Sequence, residues 1–137
     1  MSLTAHPDPL PADVLSFVDF PWRRGRKGAA CFWSVEPASD YGDACQRGRE
    51  YAIELALYFR QAPFWIGANT LGEIVRAMDH ADESPSKGYS VGFFAQLERY
   101  IARGAAGLDL GAELLRTRAD YLTFEADRPA SVKKNRA

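Results

Sequence analysis

Between Asp43 and Pro63, small and apolar residues recur at helical spacing, and no other stretch limits the fold as tightly. Cys45, Gly48, Ala52, Leu55, Ala56 and Phe59 share one face, the pattern of an amphipathic helix. Ile53, Leu57 and Tyr58 widen the apolar surface over the second half, so that half is expected at the centre of the core. Asp43 with Gln46 gives a D-x-x-Q start resembling a capping box. Pro63 sets the end near Gln61.

Three further helices follow. Thr70 and Glu73 form a second box, T-x-x-E, and Leu71, Ile74, Val75 and Met78 supply a short apolar stripe. The next helix is expected over about 91–103, stopping at Gly104. Phe94, Leu97 and Ile101 line its core side, with Phe93 and Tyr100 beside them. The last starts after Asp109 and carries Leu110, Leu114, Leu115, Tyr121 and Leu122.

Upstream, residues 29–35 alternate: Ala29, Cys31, Trp33 and Val35 on one side, Ala30, Phe32 and Ser34 on the other. That period reads as a strand, with 14–20 or 121–125 as its partner. Residues 11–17 suit either a helix start, through Pro11 and Asp13, or a strand, through Val14 and Phe17; a short helix is preferred. The expected fold is mainly α, a compact bundle of about four helices with a small N-terminal β-strand or hairpin, and α+β is the alternative. Residues 1–12 are expected as an extended arm, 13–127 as one globular domain and 128–137 as a basic, loosely ordered tail.

Composition bounds the function. The chain has 137 residues, three Trp, eight Phe and six Tyr, enough for one hydrophobic core. Its net charge of −1 gives no global basic field for nucleic acid or membrane. Arg outnumbers Lys by 13 to 4, which suggests a GC-rich bacterial genome. The start lacks the charged and apolar regions of a signal peptide, no apolar run approaches a membrane span, and Cys31 and Cys45 are too few for a disulfide framework. A reducing cytoplasm is expected, and no membrane.

Five stretches invite a chemical reading. GYSVG (88–92) matches the G-x-S-x-G nucleophile elbow. An elbow needs a strand before the Ser, and turn chemistry precedes it; it needs a His after the acid, and both His6 and His80 come first. Ser90 is read instead as an N-cap, with Tyr89 stapling onto Phe94. GANTLG (67–72) has the glycine spacing of a phosphate loop, but Glu73 and Ile74 stand where Lys and Ser or Thr belong. DHADE (79–83) meets neither calcium nor zinc spacing and reads as a solvated helix end. No catalytic set, metal site or cofactor is expected.

The remaining two are candidate surfaces. In 22–33, Arg23, Arg24, Arg26 and Lys27 lie between Trp22 and Phe32–Trp33. Cations beside rings can serve single-stranded nucleic acid or an acidic protein partner, although Trp33 is placed in the core. In APFWIG (62–67) the aromatic pair Phe64 and Trp65 is expected to close the core, and to form an interaction patch if exposed. The candidate binding face is therefore Trp22, Arg23, Arg24, Arg26, Lys27 and Trp65. The expected function is that of a small accessory or regulatory protein acting by protein–protein contact, self-association included. A nucleic-acid-binding module and an enzyme with a site invisible in sequence are the alternatives. No motif names a family.

Overall fold

The computed structural model describes residues 15–21 and 25–129. Four α-helices dominate them: α1 (Tyr41–Gln61), α2 (Thr70–Ala77), α3 (Gly88–Ala106) and α4 (Leu110–Asp127). The fold is mainly helical, and no regular strand occurs among the described residues. Contacts cluster into two units that divide between Arg99 and Tyr100.

The first unit is built on α1. Its buried face is Ala44, Cys45, Gly48, Ala52, Leu55 and Tyr58, the expected face with Ala44 and Tyr58 in place of the half-buried Ala56 and Phe59, while Ile53 stays exposed. The helix starts two residues before the expected box. Asp40 is the true cap, its carboxylate accepting from the amides of Gly42 (3.4 Å) and Asp43 (3.3 Å). At the other end the amide of Ala62 bonds to the carbonyl of Tyr58, and Pro63 stops the helix as expected.

Small residues let α3 come unusually close to α1. A Cβ on Gly48 would overlap the carbonyl oxygen of Tyr89, and one on Gly92 would overlap that of Cys45. A Cβ on Gly88 would stand 2.6 Å from the carbonyl oxygen of Tyr41 and 2.8 Å from the Cβ of Ala44. The two backbones therefore touch where only glycine fits. Gly88 and Gly92 are one helical turn apart and share a face. GYSVG is a small-residue contact stripe.

This contact places Phe93 at the centre of unit 1. It is fully buried with Phe17, Leu15, Leu55 and Ile74. Phe17, Trp33, Tyr51 and Phe93 form an edge-to-face and tilted cluster, with centroids 5.0 to 6.0 Å apart. Each such pair adds about 0.5–1.5 kcal/mol beyond burial. Trp33 thus belongs to the core periphery, as the alternation implied. From α2, Ile74 and Met78 are buried while Leu71 remains exposed.

The N-terminal elements differ from expectation. Residues 15–18 make a turn, with the amide of Val18 on the carbonyl of Leu15, so the preferred short helix is absent from the described part; residues 11–14 lie outside it. The expected strand 29–35 is reduced to one antiparallel bridge, Asp19 with Cys31. Its partner is the 14–20 stretch, since 121–125 is helical. The ladder stops because the next bond to the carbonyl of Phe17 comes from Ser34 (2.7 Å) instead of Trp33. That one-residue slip is bulge-like and ends regular pairing.

α3 starts earlier and ends later than expected. Ser84 caps a 3₁₀ turn (Pro85–Lys87) by accepting from the amide of Ser86 (3.2 Å), with Pro85 at the first position, and the turn runs directly into α3. Gly104 sits inside the helix because its space is open and nothing forces a stop. Likewise Thr70 is the first helical residue of α2, and Asn69, in the left-handed region at φ 65°, holds the cap position.

In unit 2, the C-terminal turns of α3 lead through a short link to α4. Asp109 caps α4 as expected, its Oδ1 accepting from the amide of Ala112 (3.1 Å). None of α4's residues is buried. Arg128 caps the end of α4, pairs with Glu125 (2.7 Å) and lies over Phe124 (5.6 Å). Beyond Pro129 the expected tail is outside the described residues.

Two substitutions test this packing. Gly92→Ala drives a methyl into the Cys45 carbonyl and should cost at least about 1–3 kcal/mol in urea unfolding; an unchanged midpoint would contradict the contact. Tyr58 is fully buried and its hydroxyl makes no hydrogen bond. Burial raises its pKa above 10.0, and Thr70 stands close enough to pull weakly the other way without completing a bond. The folded state therefore holds this proton longer than the unfolded chain. Its contribution is full below pH 10 and is lost as pH rises through the folded pKa. Tyr58→Phe should be neutral or stabilising at pH 7 and should flatten the alkaline loss of stability.

Candidate functional site

The serine of GYSVG is not built as a nucleophile. Ser90 is the third residue of α3, and its Oγ donates to the carbonyl of Lys87 (3.1 Å). A 3₁₀ turn precedes it where an elbow needs a strand. The N-cap reading is also corrected: the cap is Ser84, and the chain is already helical at Gly88. Tyr89 enters the helix contact and stacks on Tyr51 (6.0 Å).

DHADE closes α2 as a polar end. His80 Nε2 donates to the carbonyl of Val75 (2.9 Å), and Asp79 accepts from the amide of Ala81 (3.1 Å). Asp82 accepts from the amide of Ser84 (2.8 Å). Hydrogen bonding from Ser84, first through its side chain and then through its amide, lowers the Asp82 pKa, with Lys87 adding a smaller pull. No cluster of metal-ligating side chains occurs among the described residues.

Of the candidate binding face, Trp22, Arg23 and Arg24 lie outside the described residues. Arg26 and Lys27 are exposed, on a turn held by the amide of Arg26 on the carbonyl of Pro21 (3.0 Å). Trp33 packs on Phe17, Tyr51 and Phe93. Trp65 ends the 3₁₀ turn Pro63–Trp65, and its side chain is outside the described part. Its neighbours correct the burial reading of APFWIG: Phe64 is 69% and Ile66 62% exposed. Among the described side chains there Ala62 closes the core, and the tight turn after α1 throws Phe64 and Ile66 outward.

A polar cleft of about 330 Å³ escaped the sequence. Ser16, Ser34, Glu36, Arg47, Tyr51 and Tyr89 line it, brought together from four separate segments. Beside it, Glu54 accepts from both the amide (2.9 Å) and the hydroxyl (2.8 Å) of Ser16, tying the N-terminal turn to α1. Burial, and then the nearby Tyr89, raises the Tyr51 pKa, while Arg47 opposes them. No spacing rule could find residues this far apart.

The largest departure from expectation is α4. Leu110, Leu114, Leu115, Tyr121 and Leu122 are the apolar residues that the sequence places on this helix, and all are exposed. With Ile101, Leu108 and Phe124 they are 48–69% exposed, and all eight belong to unit 2. Single exposed leucines are ordinary, but the row Leu110, Leu114, Tyr121 and Phe124 on one side of α4 marks an interaction surface. A hint was present in the sequence. Leu115 and Leu122 lie well to one side of the Leu110–Leu114–Tyr121 line, an apolar arc wider than one neighbouring helix needs.

Comparison with protein-family models, with curated proteins and with solved structures finds no match to this chain. Among the described residues, no helix is long and apolar enough to cross a membrane.

The revised capping assignment is testable. Ser84→Ala should cost about 1 kcal/mol, whereas Ser90→Ala should stay within about 0.5 kcal/mol. The reverse order in thermal or urea unfolding would restore Ser90 as the cap.

Proposed function

We propose that the protein acts by protein–protein contact, as a small accessory or regulatory protein, through the apolar face of its C-terminal unit. The observation that carries this reading is α4: an 18-residue helix, capped at its start, with no buried residue. A helix gains most of its stability in water by burying an apolar face. α4 carries such a face with Leu110 and Leu114 about half exposed, while the described core of unit 1 is assembled from residues between 15 and 97. Phe64 and Ile66 offer a second exposed apolar patch in unit 1. The setting we infer is the bacterial cytoplasm, where Cys31 and Cys45 remain free thiols.

Burial cost distinguishes an interaction face from a core face. At a dilution that suppresses association, Leu114→Ala and Leu122→Ala should shift the unfolding midpoint by no more than about 0.5 kcal/mol. If those side chains belonged to the chain's own core, each would cost about 2–5 kcal/mol. That result would overturn the reading.

A further inference from the structure

We infer that the partner of this face is a second copy of the same chain, the two α4 helices lying side by side and parallel. The inference rests on the contact function proposed above and names its partner.

Three observations support it. The first is spacing. Leu110, Leu114, Thr117, Tyr121 and Phe124 are separated by four, three, four and three residues. That alternation makes a straight seam suited to a like helix. Leu115 and Leu122, seven apart, lie beyond Arg118 and Glu125 and outside the seam.

The second is area. An aromatic side chain buries roughly 150–250 Å² in full. At about half to two-thirds exposure, each of the four apolar seam residues, Leu110, Leu114, Tyr121 and Phe124, presents on the order of 100 Å². Together they offer roughly 400 Å², about half of one partner's share of a standard protein–protein interface and the scale of a weak, concentration-dependent pair. A second unit 2 supplies the other half with matching chemistry, as two-fold pairing requires.

The third is charge. Glu113, Asp120 and Asp127 flank the seam on one side; Arg118 and Glu125 lie on the other. Antiparallel pairing would set the acidic flank against itself. Parallel pairing sets opposite flanks together, so Glu113 of each copy faces Arg118 of the other, five residues on. Within one copy Glu113 also pairs with Arg116. The Asp120–Glu125 contact in that arrangement is moderated because Glu125 already pairs with Arg128 (2.7 Å).

Light scattering coupled to size exclusion, from low to high micromolar full-length protein, tests the pairing. The mass should rise from one chain to two. Leu114→Asp, which buries two unpaired carboxylates at the seam, should weaken association about a hundredfold. Because that variant could also loosen α4, a second measurement accompanies it. In a Cys31→Ser background, Leu110→Cys should give a disulfide-linked dimer on mild oxidation, and Ala119→Cys, on the opposite face, should not. A single-chain mass at every concentration, a dimer indifferent to Leu114→Asp, or cross-linking only from Ala119→Cys would overturn the inference. If the chain is monomeric yet Leu114→Ala leaves its stability unchanged, self-pairing fails and the contact function stands. If Leu114→Ala also destabilises that monomer, both fail.

Discussion

Three glycines set the distance between α1 and α3, and the N-terminal unit is arranged around that distance. Gly48 meets the Tyr89 backbone, Gly92 meets Cys45, and Gly88 meets Tyr41 and Ala44. Glycine within a helix costs about 1 kcal/mol relative to alanine. That cost is offset by the packing it allows. With the two backbones in touch, Phe93 reaches Phe17 and Trp33, and Tyr89 stacks on Tyr51. A larger residue at any of the three positions would push the helices apart and open voids around Phe93, which interiors tolerate poorly.

The same contact explains the irregular N-terminal segment. Phe17 fills the gap beside Phe93, while its carbonyl is fixed by Ser34 and its neighbour Ser16 by Glu54. The segment is held by side-chain burial and a few hydrogen bonds to separate partners. A regular hairpin would turn Phe17 and Trp33 by its own pleat; the single bridge and the slip leave both free to follow the helices.

Much of this was legible, and the failures have physical causes. Periodicity located all four helices, because 3.6-residue spacing survives whatever packs against it. Pro63 and Asp109 marked boundaries correctly, since a missing amide and a carboxylate cap act locally. The starts of α1 and α3 were missed for one reason. Several candidate caps stood in a row, Asp40 and Asp43, Ser84 and Ser90, and the choice among them depends on where the helix must begin to make its tertiary contact. Alternation over 29–35 predicted a strand with 14–20 or 121–125 as its partner, but how far two segments pair depends on what packs beneath them, and the 14–20 stretch pairs only at Asp19 and Cys31. GYSVG held its real content in the two glycines while attention falls naturally on the serine. The polar cleft was illegible because its residues meet only through the fold. For α4, periodicity identified an apolar face but could not say whether this chain or another covers it.

Hydrogen exchange on the full chain at two protein concentrations addresses the central claim most directly: unit 1 is complete in itself, and α4 is completed by a partner. Amides of α1 and of the first half of α3 should exchange only through global unfolding at both concentrations. Amides of α4 should exchange faster when dilute and gain protection as concentration rises. Equal, concentration-independent protection of α4 and α1 would contradict the account, since it would mean that α4 is already buried within its own chain.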